Sequence, residues 1–199
     1  MVTFANRAIL LSITPCLMLS MGMSFVSTAS FMASSNDMLV WMPAEKVEKA
    51  RRLGLRALRG VEAWETDVFR GVRLTAVPAK HTGGELGLVV EADRTVYFAG
   101  DTSLDRELFR EIGNRWRLDA VLLPIGDLRS LGVPYGHIGP RKAAQALRLL
   151  GEPQMVVPTH YSGMTLGPLM HFAGKPRKLG RALERPGWGR RSARAGHCR

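Results

Sequence analysis

An α/β fold is predicted by two observations. Short apolar runs with the composition of buried strands alternate with segments of helical periodicity, and the links between them are short. With 199 residues, 46% of them apolar, the chain has the material for one packed core.

The first apolar run is Leu39-Val40-Trp41-Met42, ended by Pro43. Residues 44–53 place Val47, Ala50 and Leu53 at helical spacing with charges between them, and Gly54 supplies the stop. Val72, Leu74 and Ala76 then alternate with Arg73 and Thr75, the period of a strand with one buried face. Residues 86–91 and 95–99 flank the turn Ala92-Asp93-Arg94 and read as a hairpin. Residues 104–112 predict a helix and residues 120–124 a fully buried strand. Residues 140–150 predict a second helix, opened by Pro140, and residues 155–158 a second buried strand.

The two ends differ from this body. No charged residue lies between Arg7 and Asp37. As a targeting segment, this stretch has Arg7 before the apolar residues 8–32 and small residues at Ser27 and Ala29 for a signal peptidase. As a membrane anchor its length suffices, because about 20 apolar residues span a bilayer. A third reading places residues 1–37 outside the ancestral fold.

At the other end, residues 175–199 hold nine Lys or Arg against the single Glu184, whereas residues 38–174 hold 18 basic and 15 acidic residues. Most of the net charge of +11 therefore sits near the C-terminus. Residues 185–199 have the Pro, Gly and Arg content of a solvated, disordered tail. The expected organisation is an atypical apolar segment at 1–37, one domain at 38–184 and a basic tail at 185–199. The near-balanced body lacks the interleaved aromatic and basic residues of a base-stacking platform, which argues against a nucleic-acid partner. The two cysteines, Cys16 and Cys198, suggest no disulfide framework and favour a reducing, cytoplasmic compartment. Membrane association or export through residues 8–32 is the alternative.

Three polar residues follow predicted strands, where layered α/β proteins carry their site-forming loops. His81 stands in VPAKHTGG, Asp101 in FAGDTS and His160 in VVPTHYSG. Singly, each reads as a loop, turn or capping residue. Together, imidazole nitrogen and carboxylate oxygen form a donor set that zinc accepts, and a carboxylate has two oxygens with which to bridge a metal pair.

The phrases VPAKHTGG, VYFAGDTS, LDAVLLPIGD, GHIGPRKAAQAL and VVPTHYSG occur in that order. In this the chain resembles the metallo-β-lactamase superfamily, in the branch of metal-dependent hydrolases that includes ascorbate-6-phosphate lactonase and N-acyl-phosphatidylethanolamine phospholipase D. The resemblance runs from about residue 39 to about residue 183. It implies a partial αββα sandwich, mainly its C-terminal half. It implies that His81 completes the ligands of a first metal, that Asp101 bridges, that His160 serves a second metal, and that His137, in GHIGP, lies over the metals as a catalytic residue. The implied cofactor is a pair of zinc ions, with manganese or iron as alternatives. The implied reaction is attack of metal-activated hydroxide on an ester, lactone or phosphodiester, with a small-molecule or phosphodiester substrate.

One departure from the family stands out. Its HxHxDH motif is missing, since the first histidine of the sequence is His81 and no acidic residue precedes Asp37. The enzyme implied is thus impaired as written, and a membrane-anchored or secreted binding module with a vestigial metal site is the alternative. With suitable codons, residues 20–28 read in a neighbouring frame as His-Gly-His-Val followed by Arg-Leu-Asp, so a frameshift is a further reading of the N-terminal segment.

Overall fold

The computed structural model describes residues 40–81, 84–134, 138–161 and 169–184. The apolar segment 1–37, with its stretch 8–32, and the tail 185–199 lie outside the described residues. The chain divides into two compact units, Met1–Glu65 and Thr66–Arg199.

In the first unit, β1 (Val40–Pro43) pairs in parallel with β2 (Leu58–Val61). They are joined through a 3-10 turn, Ala44–Lys46, and the short helix α1 (Val47–Arg52). Gly54 takes φ +88° just past the helix, the left-handed conformation that a glycine stop supplies. Val40, Ala50 and Leu55 are buried together, with Met42 and Leu58 packed against them.

The second unit is built on a six-stranded sheet in the order β10-β7-β6-β5-β4-β3. β3 (Thr66–Phe69), β4 (Val72–Pro78), β5 (Leu86–Glu91) and β6 (Thr95–Phe98) form an antiparallel meander, with the expected hairpin at β5–β6. β7 (Ala120–Pro124) joins β6 in parallel, and β10 (Met155–Thr159) joins β7 in parallel. The helices α2 (Arg106–Arg115) and α3 (Pro140–Leu149) lie in the two crossovers. Asp105 caps α2 by accepting from the backbone N–H groups of Glu107 and Leu108, so the helix begins two residues later than its apolar spacing suggests.

Cross-strand register puts Val156, Val121, Tyr97, Val89 and Thr75 in one row, and all five are buried. The Tyr97 and Phe109 rings meet edge to face at 6.5 Å, which places α2 on this side of the sheet. Ile112 of α2 and Ala143 and Leu147 of α3 are also buried. A Cβ on Gly113 would stand 2.3 Å from the Leu149 carbonyl oxygen, so α2 and α3 meet there at a distance only glycine permits.

The periodicity did not reveal a second, three-stranded sheet in the order β11-β8-β9, built from β8 (Leu128–Ser130), β9 (Val133–Pro134) and β11 (Met170–Phe172). Runs of two or three residues are too short to show a period. The helix α4 (Pro176–Leu183) was not predicted either, because Leu179 is the buried residue it contributes among many charges. Arg177, Lys178 and Arg181 belong to this helix and Lys175 is its N-cap, so part of the C-terminal positive charge is fixed on folded structure. Among the described residues no helix is long and apolar enough to cross a membrane.

Since β4 is antiparallel to β5 and β5 to β6, strands β4, β6, β7 and β10 all run the same way. Their C-terminal ends and the start of β5 share one edge of the sheet.

Candidate metal centre

That edge gathers the loops bearing the expected residues. His81 lies three residues beyond β4, Asp101 three beyond β6, and His160 directly beyond β10. His81 Nε2 is 3.6 Å from Asp101 Oδ2, and His81 Nδ1 is 3.3 Å from Glu85 Oε1. Ligand atoms of His81, Glu85 and Asp101 all lie within 4.8 Å of one another, and the three side chains are half-buried. Imidazole and two carboxylates are a donor set suited to a divalent cation. His160 is outside this cluster, two strands away from β6 in the sheet order. His137 lies outside the described residues.

The cluster is held by hydrogen bonds between two loops. The backbone N–H of Lys80 donates to Thr102 Oγ1 at 3.0 Å, and the Ser103 N–H donates to the Lys80 carbonyl at 2.9 Å. Ala79 N–H closes the base of the β4–β5 loop on the Glu85 carbonyl. Lys80 Nζ lies 3.7 Å from the Asp105 carboxylate, a further tie between the loops. Gly100 takes φ +64° and lets the chain turn beneath Asp101, where a Cβ would come 3.3 Å from the Leu86 carbonyl oxygen.

Backbone interlocking holds the His160 side of the edge. The Ile125 N–H donates to the Thr159 carbonyl, and the Gly174 N–H to the Gly126 carbonyl. A Cβ on Gly126 would stand 1.9 Å from the His160 carbonyl oxygen, and one on Gly174 would stand 1.7 Å from that of Ile125. His160 itself takes φ +51°, a left-handed conformation that is uncommon without glycine and recurs at functional positions. The Asp127 N–H donates to the carbonyl of Ile138, the residue after His137, at 3.3 Å.

Two residues escaped the sequence reading. Glu85 sat in the phrase GGEL, where an acid after two glycines looks like part of a turn. Its position four residues from His81 was the available signal. Thr102 followed Asp101 in a pattern typical of turns and caps, and only its burial reveals that it joins two loops.

The sequence matches the family model described as the Beta-lactamase superfamily domain over residues 29–161. The chain belongs to this family. It is the superfamily its motifs resemble, and the match reaches into the apolar N-terminal segment. A protein of Pyrobaculum arsenaticum named a metal-dependent hydrolase is 42% identical over 100 residues, covering 48% of this chain and 40% of that protein. One of Korarchaeum cryptofilum, with the same description, is 34% identical over 149 residues, covering 72% of this chain and 60% of that protein. The chain thus spans 40% to 60% of the length of these curated relatives. Among solved structures, an isothiocyanate hydrolase from Delia radicum gut bacteria superposes with a TM-score of 0.62 at 19% identity, over 78% of this chain and 63% of that one. That likeness concerns the fold alone. The α/β fold of the metallo-β-lactamase family, expected from the sequence, is the one observed.

Proposed function

We propose that this chain is a metal-dependent hydrolase whose metal ligands are His81, Asp101 and His160. The observation that carries the reading is the approach of His81, Glu85 and Asp101 within 4.8 Å at the edge where the strands end. Relatives named metal-dependent hydrolases support it. Zinc suits the donors, with manganese or iron as alternatives. When bound, a divalent ion lowers the pKa of water and polarises the bond to be cleaved.

The residues of the chain then divide the work. Glu85 Oε1 lies 3.3 Å from Nδ1 of His81, and by closing on that nitrogen it would orient the ring so that Nε2, on the Asp101 side, is the ligand atom. Asp101 offers its carboxylate to the same space. His137 is placed by this reading over the substrate, where it protonates the leaving group of a small ester, lactone or phosphodiester. His81 and Asp101 stand together while His160 lies outside their cluster, so the three proposed protein ligands are too few for two four-coordinate sites. The proposed centre therefore binds one zinc ion weakly, and turnover is slow.

The test is a zinc competition titration, with turnover of chromogenic ester and phosphodiester substrates, on the wild type and on Asp101→Ala, His160→Ala and Glu85→Gln. Asp101→Ala is expected to abolish stoichiometric zinc binding, and Glu85→Gln to weaken it by about tenfold, the usual effect of removing a group that orients a ligand. Zinc bound equally well by the wild type and Asp101→Ala would overturn the assignment.

A further inference from the structure

A groove of about 720 Å³ lies between α3 and α4, and its lining is strongly cationic. Arg141, Lys142 and Arg148 come from α3, Lys178 and Arg181 from α4, and Arg129 from β8. Among the described residues the lining has one acid, Asp127, and its Oδ2 already accepts from Arg129 Nε and Nη2 at 3.1 and 3.0 Å. The other five cations have no carboxylate within ion-pair distance among the described residues. Cations lining one groove share a field that favours a polyanion over a neutral ligand.

The spacing explains how the charges come to face one space. Arg141 and Arg148 are seven residues apart with Gln145 between them, which puts all three on one side of α3. Lys178 and Arg181 are three apart on α4, and Lys178 Nζ donates to the Ala173 carbonyl at 2.8 Å, which fixes that side chain at the lining. The N-terminus of α3 opens into the same groove. Gly139 has no side chain to cap it and Pro140 has no N–H, while the first helical hydrogen bond runs from Ala143 N–H to the Gly139 carbonyl. The N–H groups of Arg141 and Lys142 are therefore without intrahelical acceptors, beside the positive end of the helix dipole.

We propose that this groove binds a small molecule carrying two or more phosphate groups. Its volume is that of an ordinary small-molecule site, and guanidinium forks match phosphate oxygens in pairs. Among the described residues its lining has no aromatic side chain on which nucleic-acid bases would stack. None of its residues belongs to the metal centre, and the inference stands independently of the hydrolase reading.

The probe is inorganic tripolyphosphate, titrated calorimetrically into the full chain at low and at physiological salt, with the melting temperature followed in parallel. Binding is expected to raise the melting temperature and to weaken with salt. Arg148→Gln combined with Arg181→Gln is expected to raise Kd at least about tenfold, Arg148→Gln alone to have a smaller effect, and Arg110→Gln on α2 none. These side chains are exposed, and circular dichroism verifies that the variants are folded. No binding, or a Kd unchanged in the double variant because the tail beyond Glu184 holds the probe, overturns the proposal. So does a single-stranded oligonucleotide that binds more tightly than tripolyphosphate and loses affinity in the double variant.

Discussion

The antiparallel and parallel arms of the six-stranded sheet hold their site residues by different means. In the β4–β6 arm, His81 and Asp101 stand on loops joined through a side chain, with Thr102 Oγ1 accepting from the Lys80 backbone. In the β7–β10 arm, the His160 loop is fixed by main chain packed against main chain at Gly126 and Gly174. A clamp made by a side chain can be weakened by degrees. One made by the absence of a Cβ cannot, because the smallest addition already overlaps backbone that has nowhere to go.

Substitutions in the two arms sharpen this contrast. Gly126→Ala brings a carbon against the His160 carbonyl oxygen and is expected to cost about 3 kcal/mol, the upper end for overpacking. Urea denaturation measures it, and a loss under 1 kcal/mol would show that the parallel arm yields after all. Thr102→Val leaves the Lys80 N–H without its acceptor in a part-buried setting and should cost about 1.5 kcal/mol. The same variant should loosen zinc binding without altering the fold, as seen in the dispersion of an amide NMR spectrum.

A smaller effect is expected in the core. Burial pushes the Tyr97 hydroxyl well above the ordinary tyrosine range, and that hydroxyl has no hydrogen-bond partner among the described residues. Tyr97→Phe removes an unsatisfied polar atom while keeping the ring against Phe109, and should stabilise the protein by about 1 kcal/mol.

The weakest effect lies at the opposite end of the strands. Asp119 accepts from the Thr95 N–H at 2.8 Å and from Arg94 Nη1 at 3.2 Å, joining the start of β6 to the segment before β7. The Thr95 hydrogen bond, aided by Arg94, holds its carboxyl below the usual aspartate range. Its contribution is therefore present above about pH 4, the unfolded value, and is lost as the pH falls through the lowered folded value. Asp119→Asn should shallow the acid limb of stability below about pH 4. An unchanged limb would mean that the pair adds nothing across this junction.

The sequence was most legible where function and periodicity coincide. The strands at 72–78, 86–91, 95–98, 120–124 and 155–159 follow from alternation or unbroken apolar runs, and His81, Asp101 and His160 could be placed after them by inspection. Glu85 and Thr102 were not legible, because both act through contacts between loops, and a turn residue looks the same whether or not another loop leans on it. The cationic groove was hidden for a related reason. Charge counted along the chain assigned the C-terminal cations to a tail, whereas α4 folds Lys178 and Arg181 against the face that carries Arg141 and Arg148.

The strand order also bears on how the chain reaches this structure. β3 to β6 pair with their neighbours in sequence through turns of a few residues, so little loop entropy is lost as each strand is added. β7 and β10 can join only after crossovers through α2 and α3 have closed, the slower class of contact. The half of the edge bearing His81 and Asp101 should therefore form first, and His160 should arrive last, with the β10 strand that completes the sheet.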